Sequence, residues 1–328
     1  MNTHKQNSTK SVSGTDEAHL AMCVIDLFCG AGGFSAGAHM AGASVIACVD
    51  NWAPGLSIHQ KNFPSTRHVL MDLGGNVEEF VGQLQQFISD NVPLGSPWHL
   101  HGSPPCQDWS IANRTRKRKV GDGEKCSLTY WFLDVVLKLK PPSWSMEQVP
   151  TSLKYILEHP ILNSTGVHIY PAVFGYEFGA PTLRKRLYVG GGWTFEGTWK
   201  HGEPRPKRAA HTISVDEAFP EMAMALKREP HAVAIRGAKN YIYTDAKRDG
   251  TGPNRKIRSE EGEGLRDLCK TTYALMASQI LTVWVLDEKT KRWSKARDLT
   301  MPEAYRIQGF PAGFENEFKE HALEWYAT

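Results

Sequence analysis

Short apolar runs, each closed by a glycine, a proline or an acid, recur from residue 22 to residue 192. Met22 to Phe28 is a β-like run that stops at a glycine turn. Phe34 to Ala41 carries small residues on one side and is closed by Gly42, the pattern of a short helix. Further strands are predicted at Ser44 to Val49, ending at Asp50, and at His68 to Met71, ending at Asp72. Trp98 to His101 is a fourth strand that runs into Pro104-Pro105-Cys106. Leu128 to Leu139 has helical periodicity and stops at Pro141-Pro142. Ser143 to Met146 predicts a fifth strand ending at Glu147, and Val167 to Phe174 and Arg186 to Gly190 predict two more. Strands alternating with helices indicate an α/β sheet with helices on both faces. Polar or acidic residues recur at the carboxyl ends of these strands, where ligands bind in open α/β sheets.

After Gly192 the period is lost. Residues 193–296 are rich in charge, glycine and proline, with Lys and Arg clustered at 205–208, 247–258 and 289–297, and read as a separate small domain with long loops. Order returns from Arg297 to Phe314. Residues 1–20 are polar, lack the apolar segment of a signal peptide and read as a disordered tail. The expected division is a tail, a larger domain of 21–192 with 297–328, and a smaller domain of 193–296. With 328 residues and 41% hydrophobic content, the chain can bury a large core. Its 38 basic and 35 acidic residues leave a net charge of +3, so any nucleic-acid surface depends on clustering rather than bulk charge. No apolar run reaches the roughly 18 residues of a membrane span, and the expectation is an intracellular protein with no membrane partner. Six scattered cysteines without a CxxC pair fit a reduced compartment and argue against both a disulfide framework and a zinc site, so no metal is expected.

Three candidate sites stand out. Cys106 follows two prolines at a strand tip and precedes polar Gln107 and Asp108, so it is presented rather than buried; as a thiolate it is a nucleophile. Cys23, Cys29, Cys48, Cys126 and Cys269 lack such surroundings and are assigned to the core. Gly30, Gly32 and Gly33 allow a sharp turn and close approach to a ligand at a helix start. Phe28 before that turn suits an adenine or methionine moiety, Asp50 suits ribose hydroxyls, and Asp72 can accept from an adenine amino group. Glu147 is a carboxylate within an apolar segment, which is costly unless it is paired or working. There it can protonate a ring nitrogen. Arg184 and Arg186 share one face of a strand and are available to that glutamate, to a base carbonyl or to phosphate. Arg114, Arg116, Lys117, Arg118 and Lys119 lead into Gly121-Asp122-Gly123 and read as a hinged, phosphate-gripping lid.

These blocks, in this order, resemble the DNA (cytosine-5)-methyltransferases over residues 22–192 and 297–314. The resemblance implies a Rossmann-like doubly wound mixed sheet of the class I methyltransferase kind, S-adenosylmethionine as cofactor, S-adenosylhomocysteine as product and double-stranded DNA as partner. Residues 193–296 become the target-recognition domain. Asp26 to Gly37 resembles the cofactor loop, which implies contacts from Phe28, Gly30, Ala31, Gly32 and Gly33, joined by Asp50, Asn51, Asp72, Leu73 and Pro104. Cys106 inherits the role of nucleophile, Glu147 that of the acid, Arg186 the base carbonyl and Arg184 a supporting place. Gln107, Ser110 and the basic run at 114–119 fall to DNA binding. Arg297, Leu299, Thr300, Glu303, Arg306, Gln308, Gly309, Phe310 and Pro311 resemble the block after the recognition domain.

Three positions depart from the family pattern. Gln148 stands for its Asn, and Thr182 for the Gln before the arginine pair. No closing Gly-Asn-x-Val helix start is found, which leaves open a second chain that supplies it, a truncation or an incomplete pocket. Rivals are a non-catalytic or split-enzyme DNA-binding relative, a tRNA cytosine methyltransferase of the same fold, and a nicotinamide-dependent dehydrogenase sharing the glycine turn and Asp50. The implied setting is the cytoplasm or nucleoid of a prokaryotic or phage-infected cell, as in restriction-modification.

Overall fold

A computed structural model describes residues 21–106, 127–178, 180–182, 184–193, 232–237, 266–267, 281–287, 292–298 and 300–314. Seven strands form the main sheet: β1 (Cys23–Leu27), β2 (Ser44–Asp50), β3 (Arg67–Leu70), β4 (Trp98–Gly102), β5 (Trp144–Gln148), β6 (Val167–Phe174) and β7 (Lys185–Gly191). Their order is β3-β2-β1-β4-β5-β7-β6. β7 runs antiparallel to both its neighbours, and the other pairings are parallel. The strand order reverses on either side of β1, so the carboxyl ends of β1 and β4 open onto the same crevice.

The strands and the two helices anticipated from the sequence are present: α1 (Gly33–Met40) and, later in the chain, the helix Ser127–Leu139. Two helices between them were not anticipated, α2 (Ala53–Asn62) and α3 (Val77–Asn91), so Ser127–Leu139 is α4. α3 begins where the Asn76 side chain accepts the Glu79 N–H at 3.1 Å. Its Val77, Phe80, Val81, Leu84, Phe87 and Ile88 fall at helical spacing and turn toward the core. A single turn, α5 (Leu153–Ile156), follows β5.

The two faces of the sheet differ in chemistry. On one, Ile25, Leu27, Ala47, Val49, Leu100 and Met146 pack with α3 and α4 in a continuous apolar core. On the other, Asp26, Cys48, His99, His101 and Ser145 are buried against α1 and α2. The alternation in Trp98-His99-Leu100-His101 therefore separates two buried faces, not core from solvent. Across β4 and β5 the polar face carries a ladder in which Ser143, His99, Ser145, His101 and Ser103 are joined by four hydrogen bonds of 2.7 Å. Phe34 of α1 stacks on His101 with ring centroids 3.4 Å apart. Burial keeps His99 down at about 4 and His101 well below the usual histidine range, so both rings are neutral.

A second, four-stranded sheet has the order β11-β10-β8-β9, from β8 (Ala232–Gly237), β9 (Arg266–Asp267), β10 (Leu281–Asp287) and β11 (Arg292–Asp298), with antiparallel neighbours. No element was anticipated there. After it, α6 (Met301–Ile307) opens with a capping box between Thr300 and Glu303. Arg297 grips the Glu303 carboxyl with two donors at 2.9 and 3.1 Å. Burial opposes ionisation of Glu303, but Arg297 and the Thr300 donors outweigh it and hold the group below its ordinary range. Phe310 faces Gly33, and Phe314 meets Phe63 with centroids 6.1 Å apart, so this block packs back on the start of α1 and the end of α2. Among the described residues, no helix is long and apolar enough to cross a membrane.

Candidate active site

The glycine turn at the end of β1 is held by the neighbouring strand. Phe28 (φ 59°), Gly30 (φ 52°) and Gly32 (φ 98°) are left-handed. The N–H groups of Phe28 and Cys29 both donate to the Val49 carbonyl, at 2.8 and 3.3 Å. Gly32 is required, because a Cβ there would lie 2.8 Å from the His59 ring. Asp50 braces the turn: one carboxyl oxygen accepts the Gly30 N–H and the other the Trp52 N–H, each at 2.8 Å. Asn51 donates to Asp72 at 2.8 Å, which ties the ends of β2 and β3 together beside the turn. Ala31 is buried and Leu73 is half-buried against the core. The Phe28 ring meets Trp131 edge-on.

Beneath the turn lies a polar group that sequence reasoning did not single out. Asp26 is fully buried, and Oδ2 accepts the Ser35 hydroxyl at 2.6 Å. Oδ1 has no hydrogen-bond partner among the described residues. Burial, opposed by the Ser35 donor, pushes the carboxyl up to about 7.

The Pro104-Pro105-Cys106 turn at the end of β4 is fixed from three sides. Ser103 N–H donates to the Leu27 carbonyl at 3.1 Å, and the Ser103 hydroxyl closes the histidine ladder. From β5, the fully buried Gln148 donates to the Pro104 carbonyl at 2.7 Å and accepts the Val149 N–H at 2.9 Å. Gln148 is thus a direct strut to the turn. Pro104 is buried, Pro105 exposed and Cys106 half-buried. Burial raises the Cys106 thiol above its ordinary value; Arg186 and Arg184 pull it down and Glu147 adds to the rise. Thiol, carboxyl and both guanidiniums therefore lie within electrostatic reach of one another.

Glu147 is the penultimate residue of β5, opposite Tyr188 of β7. Its Oε1 receives Arg186 Nε at 2.5 Å and Arg184 Nη2 at 3.6 Å. Burial lowers Arg184, with Arg186 beside it acting in the same sense, and pushes the Tyr188 phenol up to about 12. Thr182, where the family pattern has Gln, is buried and accepts the Arg184 N–H at 3.2 Å, so it still supports that arginine through the backbone.

Cys106, Glu147, Arg184 and Arg186 come together at the ends of β4, β5 and β7, beside the turn that carries Phe28, Gly30, Ala31, Gly32 and Gly33. Asp50, Asn51, Asp72, Leu73 and Pro104 border that turn. Cys23, Cys29 and Cys48 are buried free cysteines. Gln107, Ser110, Arg114, Arg116, Lys117, Arg118 and Lys119 lie outside the described residues, as do Cys126 and Cys269. The supporting residues that were not singled out are Asp26, Ser35, His59, His99 and His101; Gln148 was noted only as a departure from the family pattern. For Asp26, His99 and His101 the signal was polar residues alternating within strands that are buried on both faces, whereas Ser35 and His59 come from the helices that cover one face.

The family model for C-5 cytosine-specific DNA methylases matches residues 22–326. The chain is 36% identical over 172 residues to the type II methyltransferase M.HgiDI of Herpetosiphon aurantiacus, a match covering 51% of each protein. It is 39% identical over 128 residues to M.HgiGI of the same organism, which covers 39% of this chain and 90% of that one. In fold it is similar to a prophage-encoded E. coli protein classed as a DNA modification methyltransferase, with a TM-score of 0.56, 21% identity, and coverage of 94% of this chain and 92% of that one. The chain thus spans about half the length of M.HgiDI. On the family match across nearly its whole length, the chain belongs to the C-5 cytosine-specific DNA methylases.

Proposed function

We propose that this chain transfers the methyl group of S-adenosylmethionine to carbon 5 of a cytosine everted from duplex DNA, through a covalent adduct at Cys106. The observation that carries the reading is the convergence of Cys106, Glu147, Arg184 and Arg186 beside the glycine turn. The turn fits a nucleoside sulfonium. Left-handed Gly30 and Gly32 leave the backbone bare at the start of α1, and the Asn51–Asp72 pair offers amide and carboxyl edges beside it. When bound there, S-adenosylmethionine supplies a methyl group from its positively charged sulfur to carbon 5.

Carbon 5 of cytosine is too weak a nucleophile unless the ring is first activated. The Cys106 thiolate forms a bond to carbon 6 while Glu147 gives a proton to ring nitrogen 3, which turns the ring into an enamine with electron density at carbon 5. Arg186 orients Glu147 and holds the base carbonyl oxygen; Arg184 supports both. After methyl acceptance the carbon 5 proton leaves to water or a loop base. The carbon 6–sulfur bond then breaks, thiolate departs and nitrogen 3 returns its proton. A base inside the duplex is out of reach of Cys106, so eversion is required. Residues 193–296 read the target, and Gln107, Ser110 and the basic run at 114–119 grip the backbone. The expected setting is restriction-modification.

Incubation of plasmid DNA with purified protein and S-adenosylmethionine, followed by bisulfite sequencing, tests the reading. Protected cytosines in one fixed sequence context are expected, and none with Cys106→Ala. Full protection by Cys106→Ala refutes the covalent route. Methylation of tRNA but not plasmid moves the substrate to RNA.

A further inference from the structure

A cluster beneath the glycine turn is built like a site for a soft metal ion. Cys29 comes from the turn, Cys48 from β2, His59 from α2 and His68 from β3. Cys29, Cys48 and His59 are buried, and one ligand atom from each lies within 4.8 Å of the other two. Cys48 Sγ is 3.7 Å from His59 Nδ1, and His68 Nε2 is 2.8 Å from that same nitrogen. In a tetrahedral zinc site, bonds of about 2.3 Å to sulfur and about 2.0 Å to nitrogen set neighbouring sulfur and nitrogen ligands about 3.6 Å apart, and two nitrogens about 3.3 Å apart. The Cys48–His59 edge already has that length. The histidine pair, now hydrogen-bonded, has to open by about half an ångström, and His68, which is outside the set whose ligand atoms lie within 4.8 Å of one another, has to swing toward the sulfurs to become the fourth ligand.

The proton arrangement points the same way. The Ser35 hydroxyl donates to Asp26 at 2.6 Å, so its oxygen accepts from His59 Nε2 at 2.9 Å. The His59 proton therefore sits on Nε2, and the Nδ1 lone pair faces Cys48 and His68. A carboxyl-to-hydroxyl-to-imidazole chain of this kind orients metal-binding histidines. Cys29 and Cys48 bring two buried sulfurs together beside that lone pair. A divalent cation relieves that crowding: it takes both sulfurs as thiolates and releases two protons to solvent.

We propose that Cys29, Cys48 and His59, with His68 at the fourth position, bind one tetrahedral divalent ion of the zinc class that pins the cofactor turn to β2, α2 and β3. All four positions are filled by protein, so the ion is structural rather than catalytic. The proposal goes beyond the methyltransferase reading and is tested without it.

The full chain, stripped of metal and kept reduced, is titrated with cobalt(II) as a spectroscopic stand-in, and zinc is measured by elemental analysis after growth in zinc-supplemented medium. About one ion per chain is expected, with a thiolate-to-cobalt charge-transfer band in the near ultraviolet that zinc abolishes. Cys48→Ser should lose most of that band. His68→Gln, at the half-buried edge, should keep it and weaken cobalt binding by about tenfold. The wild-type spectrum decides even if Cys48→Ser does not fold. No thiolate band in the wild type, or an equal band in folded Cys48→Ser, overturns the proposal.

Discussion

Gln148 is the strut between β5, which carries Glu147, and the turn that carries Cys106, and its removal has a calculable cost. In Gln148→Leu the volume is kept while the Pro104 carbonyl and the Val149 N–H both lose their partner. Gln148 is fully buried, so water cannot replace it. Each orphaned group costs about 1–3 kcal/mol, for a total of about 2–6 kcal/mol. Gln148→Asn is one methylene shorter and cannot span both partners, so about half that loss is expected. Cys106 lies two residues beyond Pro104, and a shift of the turn by an ångström lowers the methylation rate by about 100-fold. Guanidinium unfolding gives the stability and single-turnover methylation gives the rate. A Leu variant within about 0.5 kcal/mol of wild type, methylating at the wild-type rate, refutes the view that this bond sets the turn.

Two further predictions follow from the charges. Burial raises the Cys106 thiol while the arginines oppose the rise, so the pH midpoint for alkylation should lie above that of a free cysteine. Arg186→Gln should move it higher and Glu147→Gln lower, read by mass spectrometry of the Cys106 peptide; shifts of the opposite sign contradict the assignment. His99 and His101 are held neutral by burial, so the unfolded chain takes up protons below about pH 6.5 that the folded chain refuses. Stability from them is complete above that pH and falls on acidification, by up to about 1.4 kcal/mol per pH unit per residue. The slope between about pH 6.5 and pH 5 should be shallower in a His99→Gln, His101→Gln double variant; parallel slopes would falsify the neutral-ladder account.

Much of the site was legible because its chemistry sits at strand ends. Pro104-Pro105-Cys106 and Glu147 each close an apolar run, and adjacency in a parallel sheet converts that pattern into proximity. What was not legible depends on pairing across the chain. His99 and Ser145 look like solvent-facing positions until a helix covers that face. Cys29, Cys48, His59 and His68 are far apart in sequence, with no CxxC signature, and meet only because β1, β2 and β3 lie side by side. α3 had readable signals in Asn76 and its apolar period. β8 and β10 pair across more than 40 residues, a register that no local pattern specifies.

The covalent step can be caught directly. In duplex DNA carrying 5-fluorocytosine at the methylated position, carbon 5 has no proton to lose, so the adduct at carbon 6 cannot break down. The wild-type protein with S-adenosylmethionine should form a complex that survives detergent electrophoresis, and peptide mapping should place the DNA on Cys106. Methylation of normal DNA without any such complex, or a complex that persists in Cys106→Ser, contradicts the account.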